Sequence, residues 1–138
     1  MKAGFIVGVF LLLITSIIAC QSEDELEFKR YYSNGSTVYE TKCQNCHGKN
    51  GEGLQLLIPA LSDSAYIKAN KTSLACSLKY GLKGKLTINK KEFDGQMPAD
   101  DLTEIEIAEV LTYVNNSFGN KLGVVTTEQV GNDLRKCN

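Results

Sequence analysis

The chain reads as an all-α domain that leaves room for one small β-hairpin, and three features carry this reading. From Thr103 to Asn116, Thr103 and Glu106 form a capping box and Ile107, Val110, Leu111 and Val114 recur on one helical face. Several shorter segments carry helix start and stop residues. Strand signals are confined to Leu86-Thr87-Ile88 and the segment at Phe93, separated by Asn89-Lys90, and no internal repeat is visible.

The first segment is a targeting sequence rather than part of the fold. Lys2 gives the positive start, Phe5 to Ile18 is nearly all apolar, and Ile17-Ile18-Ala19-Cys20 ends the run with a small residue before a cysteine. This resembles the lipobox of bacterial lipoproteins, which implies removal of residues 1–19 and lipidation of Cys20. The alternative is an uncleaved anchor helix. Thr15 and Ser16 interrupt the run, which is shorter than the stretch of about twenty residues that a span needs. The expected product is an exported lipoprotein facing the periplasm, with inner and outer membrane both open.

Gln21 to Arg30 is polar and dominated by charge, the composition of a solvated spacer, so residues 20–32 are read as lipidated N-terminus and spacer and 33–138 as the domain. Asn34 or Ser36 can cap a short helix running through Val38 and Tyr39 toward Cys43. Gly48, Gly51 and Gly53 then mark a tight loop without the Lys-Ser/Thr ending of a phosphate loop. Short helices are expected near Ser62 to Ala69 and Ser73 to Tyr80, the second stopped by Gly81. The helix after Thr103 should stop at Gly119, and a last one should run from about Glu128 to Arg135.

With 15 basic and 16 acidic residues the net charge is −1, and loss of Lys2 with the leader makes it slightly more negative. Such a balance, without a basic patch carrying interleaved aromatics, argues against nucleic acid as a partner.

Cys43-Gln44-Asn45-Cys46-His47 is a C-x-x-C-H stretch containing the single histidine of the chain. Two thiols so spaced can add to the two vinyl groups of a haem, and the adjacent imidazole then becomes the proximal iron ligand. The blander alternatives are a zinc or a thiol redox motif. A structural zinc site wants four ligands, and Cys76 and Cys137 form no second pair of ligand spacing. A thioredoxin-like reading needs alternating strands and helices, which the pattern lacks. One covalent haem c is the expected cofactor.

What fills the other face of the iron decides between electron transfer and catalysis. Past the leader the chain offers one methionine, Met97, and no second histidine. Pro98 restricts Met97 to an extended conformation, so its thioether can be held in one direction. At this point the chain resembles the class I c-type cytochromes. The residues that carry the likeness are Cys43, Cys46 and His47, then Pro59-Ala60-Leu61, then Met97-Pro98, then Leu102-Thr103 with Glu106 to Val114. The resemblance implies a helical domain around the haem, a Pro59 carbonyl bonded to the His47 imidazole, and a crossing of first and last helices through Gly35, Tyr39 and Tyr113. Ser117-Phe118-Gly119-Asn120 is similar to the ending of a subgroup with respiratory and quinoprotein partners, with Phe118 at a place where tryptophan is common. Cys76 and Cys137 are outside that pattern. In an oxidising compartment their pairing is expected, with two separate buried thiols as the alternative.

The function these readings imply is one-electron carriage between respiratory or dehydrogenase partners, with no catalysis of its own. The alternatives are a haem subunit of a larger membrane oxidoreductase, or a small-molecule-binding haem enzyme or sensor if Met97 is not a ligand. Lys42, Lys49, Lys83, Lys85, Lys90 and Lys91 fall near the expected haem edge, whereas Asp100, Asp101, Glu104, Glu106 and Glu109 gather around the capped helix. Such a separation could orient docking, or the charges could be ordinary solvated faces.

Overall fold

The computed structural model describes residues 23–137. The leader and Cys20 lie outside the described residues. Among those described, no helix is long and apolar enough to cross a membrane.

Helix α1 spans Glu23–Val38, continues through a π-helical turn at Tyr39–Cys43, and ends in the short helix α2, Gln44–His47. The helix therefore starts well before the cap expected at Asn34 or Ser36, and most of the charged segment read as a spacer is helical. Glu23, Asp24 and Glu25 occupy the first turn, where they complement the helix dipole, and Glu25 pairs with Lys29 at 2.7 Å. Phe28, Tyr32, Gly35 and Tyr39 recur at helical spacing inside that charged segment and beyond it. Packing also begins before the domain boundary expected at residue 33, since Tyr31 is buried and its hydroxyl lies 2.9 Å from Thr127 Oγ1.

Helix α3 spans Ser64–Ala69, with the Asp63 carboxylate accepting from the Tyr66 N–H, and α4 spans Leu74–Tyr80 up to Gly81. Strands β1, Leu82–Ile88, and β2, Lys91–Met97, form one antiparallel hairpin. Asn89 and Lys90 both take positive φ, as a two-residue turn of this handedness requires. The hairpin is longer than expected because its two faces differ. Leu82, Leu86, Phe93 and Met97 share one face, while Lys83, Lys85, Glu92, Asp94 and Gln96 occupy the other.

Helix α5 spans Glu104–Asn115 with both halves of the capping box formed, and it buries Ile107, Ala108, Val110, Leu111 and Val114. It ends at Asn116, not at the expected Gly119. The Asn116 amide donates to the Thr112 and Gly123 carbonyls at 2.7 and 2.9 Å, and its Oδ1 accepts from the Gly123 N–H, closing the turn with a side chain. Helix α6, Thr127–Leu134, is capped by Thr126.

Helices α1 and α5 cross at Gly35. A Cβ there would overlap the Glu109 carbonyl and lie 2.9 Å from Tyr113 Cβ, so only hydrogen permits the approach. Around the crossing Tyr113 meets Tyr32 and Tyr39 at ring separations of 5.1 and 5.3 Å, and Phe118 lies 5.3 Å from Tyr39. Cys76 in α4 and Cys137 after α6 are joined as a disulfide with a Cα separation of 5.7 Å.

Candidate functional site

The hairpin, α4, α5 and the loop after α2 line a predominantly apolar cleft, the kind of wall that small-molecule cofactors bury against. An adjoining space reaches Cys46 and the Gly84–Gly95 pair of the hairpin. Both spaces are walled by His47, Pro59, Leu82, Leu86 and Met97, so they form two parts of one site. Gly95 allows the Leu54–Ile58 loop to close against the hairpin, since a Cβ there would meet the Leu57 carbonyl oxygen at 2.7 Å.

His47 is held by its own loop. Its Nδ1 lies 3.2 Å from the Pro59 carbonyl oxygen, where an N–H donates, which leaves Nε2 as the nitrogen with a free lone pair. Burial lowers the pKa of the imidazole, and the bond to Pro59 opposes that only in part. The ring is neutral, as a metal ligand must be.

Cys43 and Cys46 are both free thiols, Cys43 half-buried on the cleft and Cys46 exposed at its mouth. Burial pushes the Cys43 thiol up to about 11, with Asp100 and Cys46 adding to the rise and Lys42 opposing it. A thiol redox motif needs the reverse, a thiolate stabilised near neutrality. Among the described residues no group of three or more His, Cys, Asp or Glu side chains is placed to hold a metal ion, so the zinc alternative lacks its further ligands.

Met97 ends β2 on the cleft face, paired in register with Leu82. The chain that follows is packed tightly: a Cβ at Gly81 would lie 2.7 Å from the Met97 carbonyl oxygen and 2.8 Å from the Ala99 nitrogen. The Asp100 N–H donates to the Leu78 carbonyl at 3.1 Å.

Several supporting contacts carried no signal in the sequence. The Tyr39 hydroxyl donates to the Gly48 carbonyl at 2.6 Å, closing the haem-motif loop onto α1, and burial drives its pKa to about 12. The Asn120 amide donates to the Leu61 and Val114 carbonyls at 2.8 and 2.9 Å. Lys42 Nζ lies 3.0 Å from Asp100 and Lys79 Nζ 3.5 Å from Asp101. The Lys42–Asp100 pair joins the basic and acidic sets that the sequence left apart, and on the hairpin Lys85 stands opposite Asp94, outside the acidic set. The alternating pattern of residues 82–88 and 91–97 was the one available signal for the hairpin wall.

The residues present fit a haem. Two free thiols flank the mouth of an apolar cleft, and a neutral imidazole with one nitrogen uncommitted lies within it. The comparisons agree. The family model described as Cytochrome c matches residues 32–117. The chain is 30% identical over 92 residues to a cytochrome c-552 of Thermus thermophilus, an alignment covering 63% of this chain and 70% of the relative. A second cytochrome c-552, from a named strain of the same organism, is also 30% identical and is covered over 62% of its length. The chain belongs to the cytochrome c family, and with it come a covalently bound c-type haem and a role as a haem-based electron carrier.

Proposed function

We propose that this cytochrome carries one electron at a time on a haem held between His47 and Met97, outside the cytoplasm, between respiratory or dehydrogenase partners. The mature chain is anchored to a membrane through lipid on Cys20. The observation that carries the reading is that His47 and Met97 wall the same cleft, in a chain with one histidine.

A haem bound there supplies an Fe(III)/Fe(II) couple. The protein's own groups favour carriage over catalysis. Pro59 holds the imidazole through Nδ1 and leaves Nε2 free to bind the iron. The Met97 thioether is a soft ligand that favours the lower oxidation state, and a fixed ligand on each side minimises rearrangement between states. Among the acidic and phenolic groups in the walls, Asp63 and Tyr39 are engaged elsewhere. Asp63 caps α3, Tyr39 donates to Gly48, and burial raises the pKa values of both Tyr39 and Tyr66. None of them is suited to pass a proton to a bound small molecule at neutral pH.

Carbon monoxide tests the ligation. Reduced wild-type protein should bind it poorly and Met97→Ala readily, whereas fast stoichiometric binding by the wild type would place the protein with the haem enzymes and sensors. For the anchor, the intact mass of the membrane-bound form should begin at residue 20 with an added diacylglycerol. An unmodified or uncleaved N-terminus would contradict it.

A further inference from the structure

The segment after β2, a strap from Pro98 to Thr103, has no regular secondary structure and follows directly on Met97, the last residue of the strand. Bonds made by its own backbone tie it to one neighbour. Asp100 donates its N–H to Leu78, and Lys79 Nζ donates to the Leu102 carbonyl at 2.8 Å, both on the α4 side. Its link to the opposite side is made by side chains. Lys42, the residue immediately before Cys43, places Nζ 3.0 Å from Asp100 Oδ1. The helix that bears the haem motif is thereby joined to the strap that bears Met97.

We propose that Lys42 and Asp100 form a clasp that positions Met97 and sets how often its thioether leaves the iron. This rests on the Met97 ligation proposed above. The pair is exposed, with Lys42 and Asp100 side chains 48% and 29% accessible, so solvent screens it. Exposed ion pairs of this kind shift an equilibrium by only roughly two- to five-fold. Such a factor hardly alters global folding, but it multiplies directly the small population in which the strap is lifted. Asp101 and Glu106 add to the negative field at Lys42, while Lys79 is drawn to Asp101 on the α4 side. The Lys42 ammonium is accordingly held toward the strap by more than one carboxylate, with Asp100 as its direct partner.

A clasp and a simple field effect make opposite forecasts. Removing a negative and a positive charge near the haem would move the reduction potential in opposite directions. Breaking a clasp from either end would lift the strap in the same direction.

Stopped-flow carbon monoxide binding to the reduced holoprotein separates the two. Lys42→Gln and Asp100→Asn should each speed binding by roughly two- to five-fold. The double variant should be no faster than either single one, because one interaction is lost in all three. Lys42→Arg should behave as the wild type, and added salt should speed the wild type more than Asp100→Asn, which keeps only the weaker pull of Asp101 and Glu106 on Lys42. Wild-type rates in both single variants, effects that multiply in the double variant, or single variants that shift the rate in opposite directions would overturn the clasp alone. Fast binding by the unaltered protein would overturn the Met97 ligation, and the clasp with it.

Discussion

Gly35→Ala is the substitution whose cost the fold states most directly. A methyl group at this position overlaps the backbone carbonyl of Glu109, and no rotamer change relieves a clash with backbone. Helices α1 and α5 must therefore move apart. Overpacking of this kind costs about 1–3 kcal/mol. Separation also weakens the Tyr113 contacts with Tyr32 and Tyr39, each worth about 0.5–1.5 kcal/mol. Against this, alanine returns about 1 kcal/mol of helix propensity. The balance is a loss of about 2–3 kcal/mol, which at about 4 °C per kcal/mol lowers the midpoint by roughly 8–12 °C. The internal control is Gly131→Ala in α6, where an added Cβ meets only movable side-chain ends, the Glu104 carboxylate at 3.1 Å and the Arg135 guanidinium at 3.7 Å. Propensity should win there, leaving stability unchanged or raised by up to about 1 kcal/mol. Thermal unfolding of the holoproteins, followed by far-ultraviolet circular dichroism with the haem spectrum as a check on loading, compares the two. A Gly35→Ala protein as stable as the wild type would refute the close crossing.

The Cys76–Cys137 bridge closes a separation of 61 residues, for which the chain-entropy model gives roughly 4 kcal/mol; Cys137→Ser should lose a large part of that in denaturant titration, and alkylation of the unreduced, denatured wild type should label neither cysteine. The Thr103 hydroxyl and N–H donate to Glu106 at 2.6 and 2.8 Å and lower its pKa, so the stability it contributes is present above the ordinary glutamate pKa of about 4.3 and is lost as acid protonates the folded form. Thr103→Ala should cost about 1 kcal/mol near neutral pH and flatten the stability profile below about pH 4, and an unchanged profile would show that the capping box is not formed in solution.

The parts of the fold fixed by local chemistry were legible in the sequence. The capping box at Thr103 and the glycine stop at Gly81 each depend on residues within one turn of each other. The haem motif was legible for the same reason, since Cys43, Cys46 and His47 lie within five consecutive residues. What escaped depends on distant partners. The charge of Glu23 to Arg30 read as a spacer because the aromatic stripe hidden in it gains its meaning from α5, across the Gly35 crossing. Gly119 looked like a helix stop, but the Asn116 side chain reaches the Gly123 backbone first. The hairpin was half seen, because glycines at 84 and 95 interrupt the apolar alternation where the site is flattest. The Lys42–Asp100 pair, 58 residues apart, carried no sequence signal at all.

Spectroelectrochemical titration of wild type and Met97→Ala tests the central claim, electron carriage on a haem held between His47 and Met97, most directly. The account predicts a single reversible one-electron transition in the wild type, together with a sulfur-to-iron charge-transfer band in the oxidised protein. In Met97→Ala that band should vanish and the potential should fall, because a soft ligand that favours the reduced iron has been removed. A wild type without the band, with a potential indistinguishable from that of Met97→Ala, would show that the thioether is not on the iron and would contradict the account.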